Sequence, residues 1–308
     1  MIRNSIKVVS RKKLIKRMWL LYVMLALPII QLVIFKYMPM YGVIIGFKDF
    51  NPVLGIMDSP WNNFEHFKRL FGSFLFKRVL TNTVEISLLR LVIGFPTTII
   101  FALLLNEVNT LRFKKIVQSI SYLPHFLSWV VIASIVTPML SPSNGIVNGV
   151  LALFGIEPIS FLTDNSWFRP ILIITSTWKG IGWGSIIYLA SISSIDTQLY
   201  DAADTDGAGR LRKAIHVTIP GILPMIVIML ILNVGNILDA GFDQIFNLYS
   251  PLVYETADII DTYNYRVGII ESKYDYSAAV GLFKNIVGIV FVLGTNIIAR
   301  KFSDYALW

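Results

Sequence analysis

The chain contains no cysteine, which excludes disulfides, thiolate metal sites and a cysteine nucleophile, and leaves its redox compartment unmarked. Histidine is nearly as scarce. His66, His125 and His216 have no i, i+4 histidine partner and no carboxylate at ligand spacing, so neither a metal site nor a zinc protease is expected. No Gly-x4-Gly-Lys-Ser/Thr loop is present, so the backbone cradle and lysine that hold nucleotide phosphates are missing. A clustered nucleophile, base or metal constellation is likewise absent, which argues against a membrane-embedded enzyme. Charge is in short supply too: 15% of the 308 residues are charged and 55% are hydrophobic, a poor recipe for a soluble surface around one apolar core. The solvent implied is lipid. There is no repeat of fixed period, no low-complexity tract and no connection long enough for a separate soluble domain.

What is present is a series of long apolar runs. Six can cross a hydrocarbon layer of about 30 Å at about 1.5 Å per helical residue: Met18 to Phe35, Val79 to Leu105, Ile116 to Leu140, Pro170 to Ile192, Ile222 to Leu238 and Ala278 to Ala299. Each must be helical, because a lone strand would leave its backbone groups unpaired in lipid. The fold class expected is all-α, a polytopic membrane helix bundle. Seven of the 27 basic residues precede the first run, from Arg3 to Arg17, and this makes the net charge of +8 a cytoplasmic anchor rather than a nucleic-acid surface. Met18 to Phe35 is long enough to span, and no small-residue cleavage pattern follows it, so it reads as a retained span.

Lys and Arg set the orientation. The amino-terminal arm, Arg112 with Lys114 and Lys115, Arg210 with Arg212 and Lys213, and Arg300 with Lys301 share one side, which is therefore cytoplasmic. The opposite connections Ser141 to Arg169 and Asp239 to Ser277 are poor in base. A third outer segment, Lys36 to Arg78, carries Lys68, Arg69, Lys77 and Arg78 and weakens the asymmetry. Within it, Trp61 to Phe76 has apolar residues at helical spacing and is expected to lie along the outer surface in a packed structural role. Residues 1–17 then form a basic cytoplasmic arm and 18–308 a single transmembrane domain, with its core at about 79–299.

On the cytoplasmic side, the stretch 193–220 is the least compatible with lipid. Asp196 is placed to cap a helix from Thr197 to Asp204, and Asp206-Gly207 supplies a stop, since glycine tolerates the left-handed conformation. Leu199, Ala202 and Ala203 share a face on which alanine leaves no bulk. Arg210 to His216 is expected to form a second short helix, ended by Pro220.

Asp201-Ala202-Ala203, Asp206-Gly207-Ala208, and Val217, Ile219 and Pro220 together resemble the EAA loop of binding-protein-dependent ABC importer permeases. That family's pattern is Glu-Ala-Ala, a Gly four residues after the second Ala, and Ile-x-Leu-Pro ten residues beyond the Gly. The spacing matches throughout, with Asp201 for Glu, Val217 for Ile and Ile219 for Leu. Leu80-Thr81-Asn82-Thr83, Tyr122-Leu123-Pro124-His125-Phe126, Tyr37-Met38-Pro39-Met40-Tyr41-Gly42 and Phe47-Lys48-Asp49 look like the maltose-type sugar permeases, in the polysaccharide-permease branch called LplB-like.

The resemblance implies a type I ABC importer permease fold (MetI/MalF-like) with six transmembrane helices, both termini cytoplasmic and residues 193–220 as the coupling loop. It implies a bacterial cell membrane location and an assembly with a second, different permease chain, a cytoplasmic ABC ATPase dimer and an extracellular solute-binding protein, which can take the form of a lipoprotein. The cargo implied is an oligosaccharide or polysaccharide fragment. ATP and Mg would be bound by the partner ATPase, with no cofactor in this chain and no enzymatic activity of its own.

A sugar offers hydroxyl edges and apolar C–H faces, so its pathway wants amides or carboxylates beside aromatic platforms. Asn233, Asn236 and Asp239 on the fifth run offer the first, and Trp178 and Trp183 on the fourth the second. Asparagine also bridges membrane helices and tryptophan also marks interfaces, so both readings stand at this point. Glu85, Arg90 and Lys179 each cost about 2.5 kcal/mol or more at membrane depth and need partners. A structural network and a substrate-facing role are both open for Glu85 and Arg90. Lys284 is expected to snorkel outward. An ion-coupled secondary transporter is the alternative reading, with Glu85, Arg90 and Lys179 as a relay and the Asp201 loop a mere connector.

Overall fold

Among the described residues of the computed structural model, four helices are long and apolar enough to cross a membrane: Met18–Phe47, Phe74–Asn106, Arg210–Gly235 and Tyr274–Ile298. Leu111–Phe126 and Trp129–Met139 make a fifth candidate, bent by 103° between its halves. The helix Asn165–Ser193 has 29 residues and so the length to span, but Lys179 and several Gly, Ser and Thr residues make it less apolar than the others. The structure describes residues 11–302. The first ten residues of the basic arm, the side chains of the rest of that arm and of Lys301, and residues 303–308 lie outside the described residues.

Three expectations about span limits need correction. The run Ile116 to Leu140 is not one straight helix: it breaks at Leu127, whose extended backbone precedes Ser128, the cap of the second half, through a bond from the Val131 N–H to Ser128 Oγ. The first crossing extends past Phe35 to Phe47. Pro220 does not end a short helix, because the chain continues from Arg210 through it to Gly235.

The reason for that continuation recurs. Pro39, Pro96 and Pro220 each stand two residues past a turn of π-helix, at Val33–Tyr37, Arg90–Gly94 and Ala214–Thr218. A proline ring cannot donate a hydrogen bond and clashes with the carbonyl four residues back. Widening the preceding turn shifts the bonding to i→i+5 and relieves the clash, so the helix bends and carries on.

The outer segment also departs from a single helix over Trp61 to Phe76. Asn63 and Phe64 have positive φ, the helix covers only Glu65–Gly72, and Ser73 caps the next by accepting from the Phe76 N–H. Leu70 and Phe76 are buried there while Trp61 and Phe64 stay exposed. The sole β-bridge among the described residues, Lys48 with Trp61, closes this segment on the end of the first crossing.

Packing concentrates in the bundle and at a neck where Asn165–Ser193 ends and Arg210–Gly235 begins. Ile86, Phe168, Leu172 and Ile245 centre one buried cluster, and Phe76, Val79, Ile260 and Val280 a second. Ala102, Tyr188, Ile192 and Ile222 hold the neck. In contrast, the most apolar stretch of the first crossing has no buried residue, as expected of a surface that faces lipid or another chain. Close helix approach uses glycine: a Cβ on Gly182 would land on the backbone carbonyl of Ser121. Gly182→Ala is therefore expected to cost about 1–3 kcal/mol through overpacking, read as a lowered midpoint of thermal unfolding in detergent.

Candidate functional site: a glycine-broken protrusion and a polar cleft

The protrusion between Asn165–Ser193 and Arg210–Gly235 is built by local rules. Asp196 Oδ1 accepts from the Gln198 N–H at 2.9 Å and starts the helix Thr197–Thr205, a cap that contributes about 1 kcal/mol. The helix ends where Gly207 adopts φ +69°, with its N–H on Asp204 O and the Ala208 N–H reaching back to Ala203 O. Lys213 then pairs with Asp204 at 2.7 Å, and the Tyr200 hydroxyl meets Thr218 Oγ1 at 2.9 Å. These bonds fold the short helix against the root of the next span.

The result is a groove of about 510 Å³ lined by Leu199, Ala202, Ala203, Asp206, Ala208, Arg212, His216 and Val217. Asp201 is exposed on the same helix but does not line it, and Ile219 with Pro220 belongs to the span above. Leu199 and Leu211 are left exposed, an apolar invitation unusual for a water-facing loop. Arg210 lies 3.8 Å from Glu107, which places the basic turn after Phe74–Asn106 and the protrusion at one end of the bundle.

Within the bundle, Asn233, Asn236 and Asp239 come together with Ser87, Arg90 and Leu91 around a cleft of about 360 Å³. Asn233, Arg90 and Tyr188 line a neighbouring one of about 320 Å³, and Asn236 and Asp239 line another of about 410 Å³ with Lys284. The two tryptophans proposed as platforms line none of these. Trp183 instead stacks on His125, with centroids 4.5 Å apart and planes 3° from parallel, beside the break in the third crossing. Facing the lipid-side break rather than the asparagines is a matter of helical phase that sequence spacing between two different helices cannot give.

Glu85, Lys179, Arg90 and Lys284 each have a partner. Glu85 is bonded to Arg169 at 2.5 Å, and Arg169 also donates to Asn82 Oδ1 and Thr256 O. Lys179 Nζ donates to the carbonyls of Pro124, His125 and Leu127 at 3.2, 2.8 and 2.5 Å, the groups that the helix break leaves bare. Arg90 donates through Nη2 to Gln244 Oε1. Lys284 does not snorkel: it bonds both oxygens of Asp261 at 2.6 and 2.7 Å. A carboxylate in reach is worth more to the ammonium than the distant water layer. Burial pushes the Asp261 carboxyl above the usual carboxylate range, Lys284 draws it back, and the Asp239 charge adds to the upward push.

Sequence reasoning missed Arg169, Gln244, Asp258, Asp261 and Arg266, of which Asp258 and Arg266 form a further ion pair at 2.5 Å. The available signal was an arginine at the start of a span and charged residues in an otherwise base-poor outer connection. It also treated His66 as isolated, whereas the fold sets its Nε2 3.4 Å from Asp275, 4.0 Å from Asp49 and 3.1 Å from Lys48 O. Those contacts join segments separated by most of the chain and tie the outer segment to the head of the last helix.

Comparison with known proteins places these features in one family. Residues 94–304 match the model of the binding-protein-dependent transport system inner membrane component. Protein LplB of Bacillus subtilis (strain 168) is 42% identical over 302 residues, covering 98% of this chain and 95% of that protein. The polygalacturonan/rhamnogalacturonan transport system permease protein YteP of the same organism is 44% identical over 296 residues, covering 96% and 92%. Among solved structures, a chain of a bacterial ABC transporter involved in import of the acidic polysaccharide alginate superposes with a TM-score of 0.87 at 45% identity, over 94% of this chain and 98% of that one. A chain of the bacterial alginate ABC transporter in complex with an alginate pentasaccharide-bound periplasmic protein gives 0.88 at 43% identity, over 96% and 99%. With its helical bundle, its several apolar spans and a match over most of its length, this chain belongs to the family of binding-protein-dependent transport system inner membrane components and is a multi-pass transport permease.

Proposed function

We propose that this chain is the permease subunit of an ABC importer for oligosaccharides or polysaccharide fragments, moved by ATP hydrolysis in a separate subunit. The observation that carries the reading is the glycine-broken protrusion: a helix whose alanine face opens a groove at the basic end of the bundle. Ala202 and Ala203 let another protein's surface approach the backbone, and the exposed Leu199 and Leu211 give it apolar anchors. Docked in a cleft of a cytoplasmic ATPase dimer, the protrusion transmits closure and opening of the motor to the spans, switching the permease between inward- and outward-facing states. ATP and Mg belong to that ATPase, and the chain performs no covalent chemistry.

The carbohydrate class follows from the relatives' own substrates and from a cleft of amides, hydroxyls and one carboxylate, chemistry suited to sugar hydroxyls. In this reading residues 18–308 are one permease domain, Asn165–Ser193 is the fourth crossing and brings the total to six, and both termini are cytoplasmic. The remaining partners are a second permease, a different chain, and an extracellular solute-binding protein. An ion relay is less well served, since Glu85 and Lys179 are each committed to fixed partners.

Purification of the complex through this chain is expected to bring down an ATPase and a second permease. Its ATP hydrolysis in proteoliposomes is expected to rise several-fold with sugar-loaded binding protein. Uptake that survives ATP depletion but collapses with the ion gradient would overturn the reading.

A further inference from the structure

Arg90 is a cation at membrane depth that the protein positions without a direct ion pair, Asp239 being the carboxylate that acts on it through space. Its Nη2 donates to Gln244 Oε1, and Gln244 is fully buried and oriented from its other end, where Nε2 donates to Leu172 O at 2.8 Å and Thr175 Oγ1 at 2.7 Å. Those two acceptors fix which end of the amide is oxygen. Gly241, at φ +84°, lies so close that a Cβ there would overlap the guanidinium, so the backbone is shaped around the arginine. Yet no carboxylate lies within ion-pair distance of it among the described residues, and its Nε is buried with no hydrogen-bond partner. Ser87, 7% exposed and lining the same cleft, also has an Oγ without a partner.

A purely structural arginine in a span is expected to meet a carboxylate, as Arg169 meets Glu85. Arg90 and Ser87 instead line a cleft that Asn233, Asn236 and Asp239 complete, each with a buried donor atom that no protein group satisfies. Asp239, whose Oδ1 accepts from the Gly241 N–H at 3.2 Å, is the other charge in that cleft outside an ion pair, while Lys284 and Asp261 neutralise each other at its edge. Planar guanidinium donors match a carboxylate better than any hydroxyl.

We infer that Arg90, aimed by Gln244 and assisted by Ser87, is the charge-selecting residue of the pathway, and that the sugar passing it carries a carboxylate, as a uronate does. This rests on the proposed function, and it adds a specificity that sugar transport alone does not require. Asp239 would take a hydroxyl of the same or the next unit, and its negative charge keeps the carboxylate from being held too tightly to move on.

The test uses the purified importer complex in detergent, without binding protein, and two probes: trigalacturonate and its fully methyl-esterified, neutral counterpart. The wild type is expected to bind the acid about tenfold or more tighter than the ester. Arg90→Gln should abolish that preference by lowering acid affinity to that of the ester, Arg90→Lys should keep part of it, and Ser87→Ala should reduce it several-fold. Equal binding of acid and ester by the wild type overturns the inference, as does an unchanged preference in Arg90→Gln. Where Arg90→Gln fails to assemble with the ATPase, Arg90→Lys decides, because an undiminished preference there also overturns it. An Asn233→Ala, Asn236→Ala double variant separates the two layers. If it weakens both probes while Arg90→Gln alters neither, the pathway stands and the charge selection falls. If no variant alters either probe, the pathway falls with it.

Discussion

Replacing Ala202 and Ala203 together by Arg is expected to leave the permease inserted in the membrane but stripped of its ATPase, with transport at background. Both alanines line the groove of the protrusion and neither belongs to a buried cluster, so the fold loses little. The interface, by contrast, gains two long cations where a partner's surface must approach the helix backbone. Interface positions of this kind cost about 2 kcal/mol or more each, so the pair should weaken association by about a thousandfold. Co-purification of the ATPase and sugar uptake should fall together. Gly207→Val is a subtler version. Nothing lies within 4 Å of a Cβ there, but φ is +69°, and a β-branched residue in that conformation is strained. The expected result is a displaced helix that docks poorly, with less uptake per ATP hydrolysed. Normal uptake by both variants would remove the protrusion from the mechanism.

Lys179→Met is expected to destabilise the folded permease by about 2–4 kcal/mol, since it leaves three carbonyls of the broken third crossing without the charged donor that satisfies them. Methionine keeps the length of the side chain and removes only the ammonium. The measurement is thermal unfolding in detergent, with the variant's midpoint well below that of the wild type. The reading of Lys179 as the cap of the break requires that Lys179→Arg, which retains donors, lose less than Lys179→Met. A relay role would instead make the two variants equally inactive and equally stable. Its ring contact with Trp129, 5.6 Å from the Nζ, holds the second half of the crossing to the same point.

The protrusion was legible in the sequence almost in full. Asp196, Ala202, Ala203 and Gly207 act through bonds to residues two to five positions away, and such chemistry is written in the order of residue types. The cleft was legible by half. Spacing puts Asn233, Asn236 and Asp239 on one helical face; they do line a common wall although the helix ends at Gly235, but the aromatic platforms chosen for them do not reach it. Their place is taken by Arg90 and Ser87 from another crossing, with Gln244 of the helix Phe242–Leu248 buried behind Arg90. The break at Leu127 was hidden for a related reason: hydropathy runs through it without interruption, and only the ammonium of a residue 52 positions later makes bare carbonyls there affordable.

By itself the sequence determined that this chain lives in lipid and how its protrusion is capped and broken, because hydropathy and helix capping act over a few residues. Which charges meet, Glu85 with Arg169, Asp261 with Lys284 and Arg90 with Gln244, was decided only by the tertiary structure. In a medium that solvates no charge, each such group takes the nearest partner in space, and that neighbour is set by how the helices pack and rotate against one another.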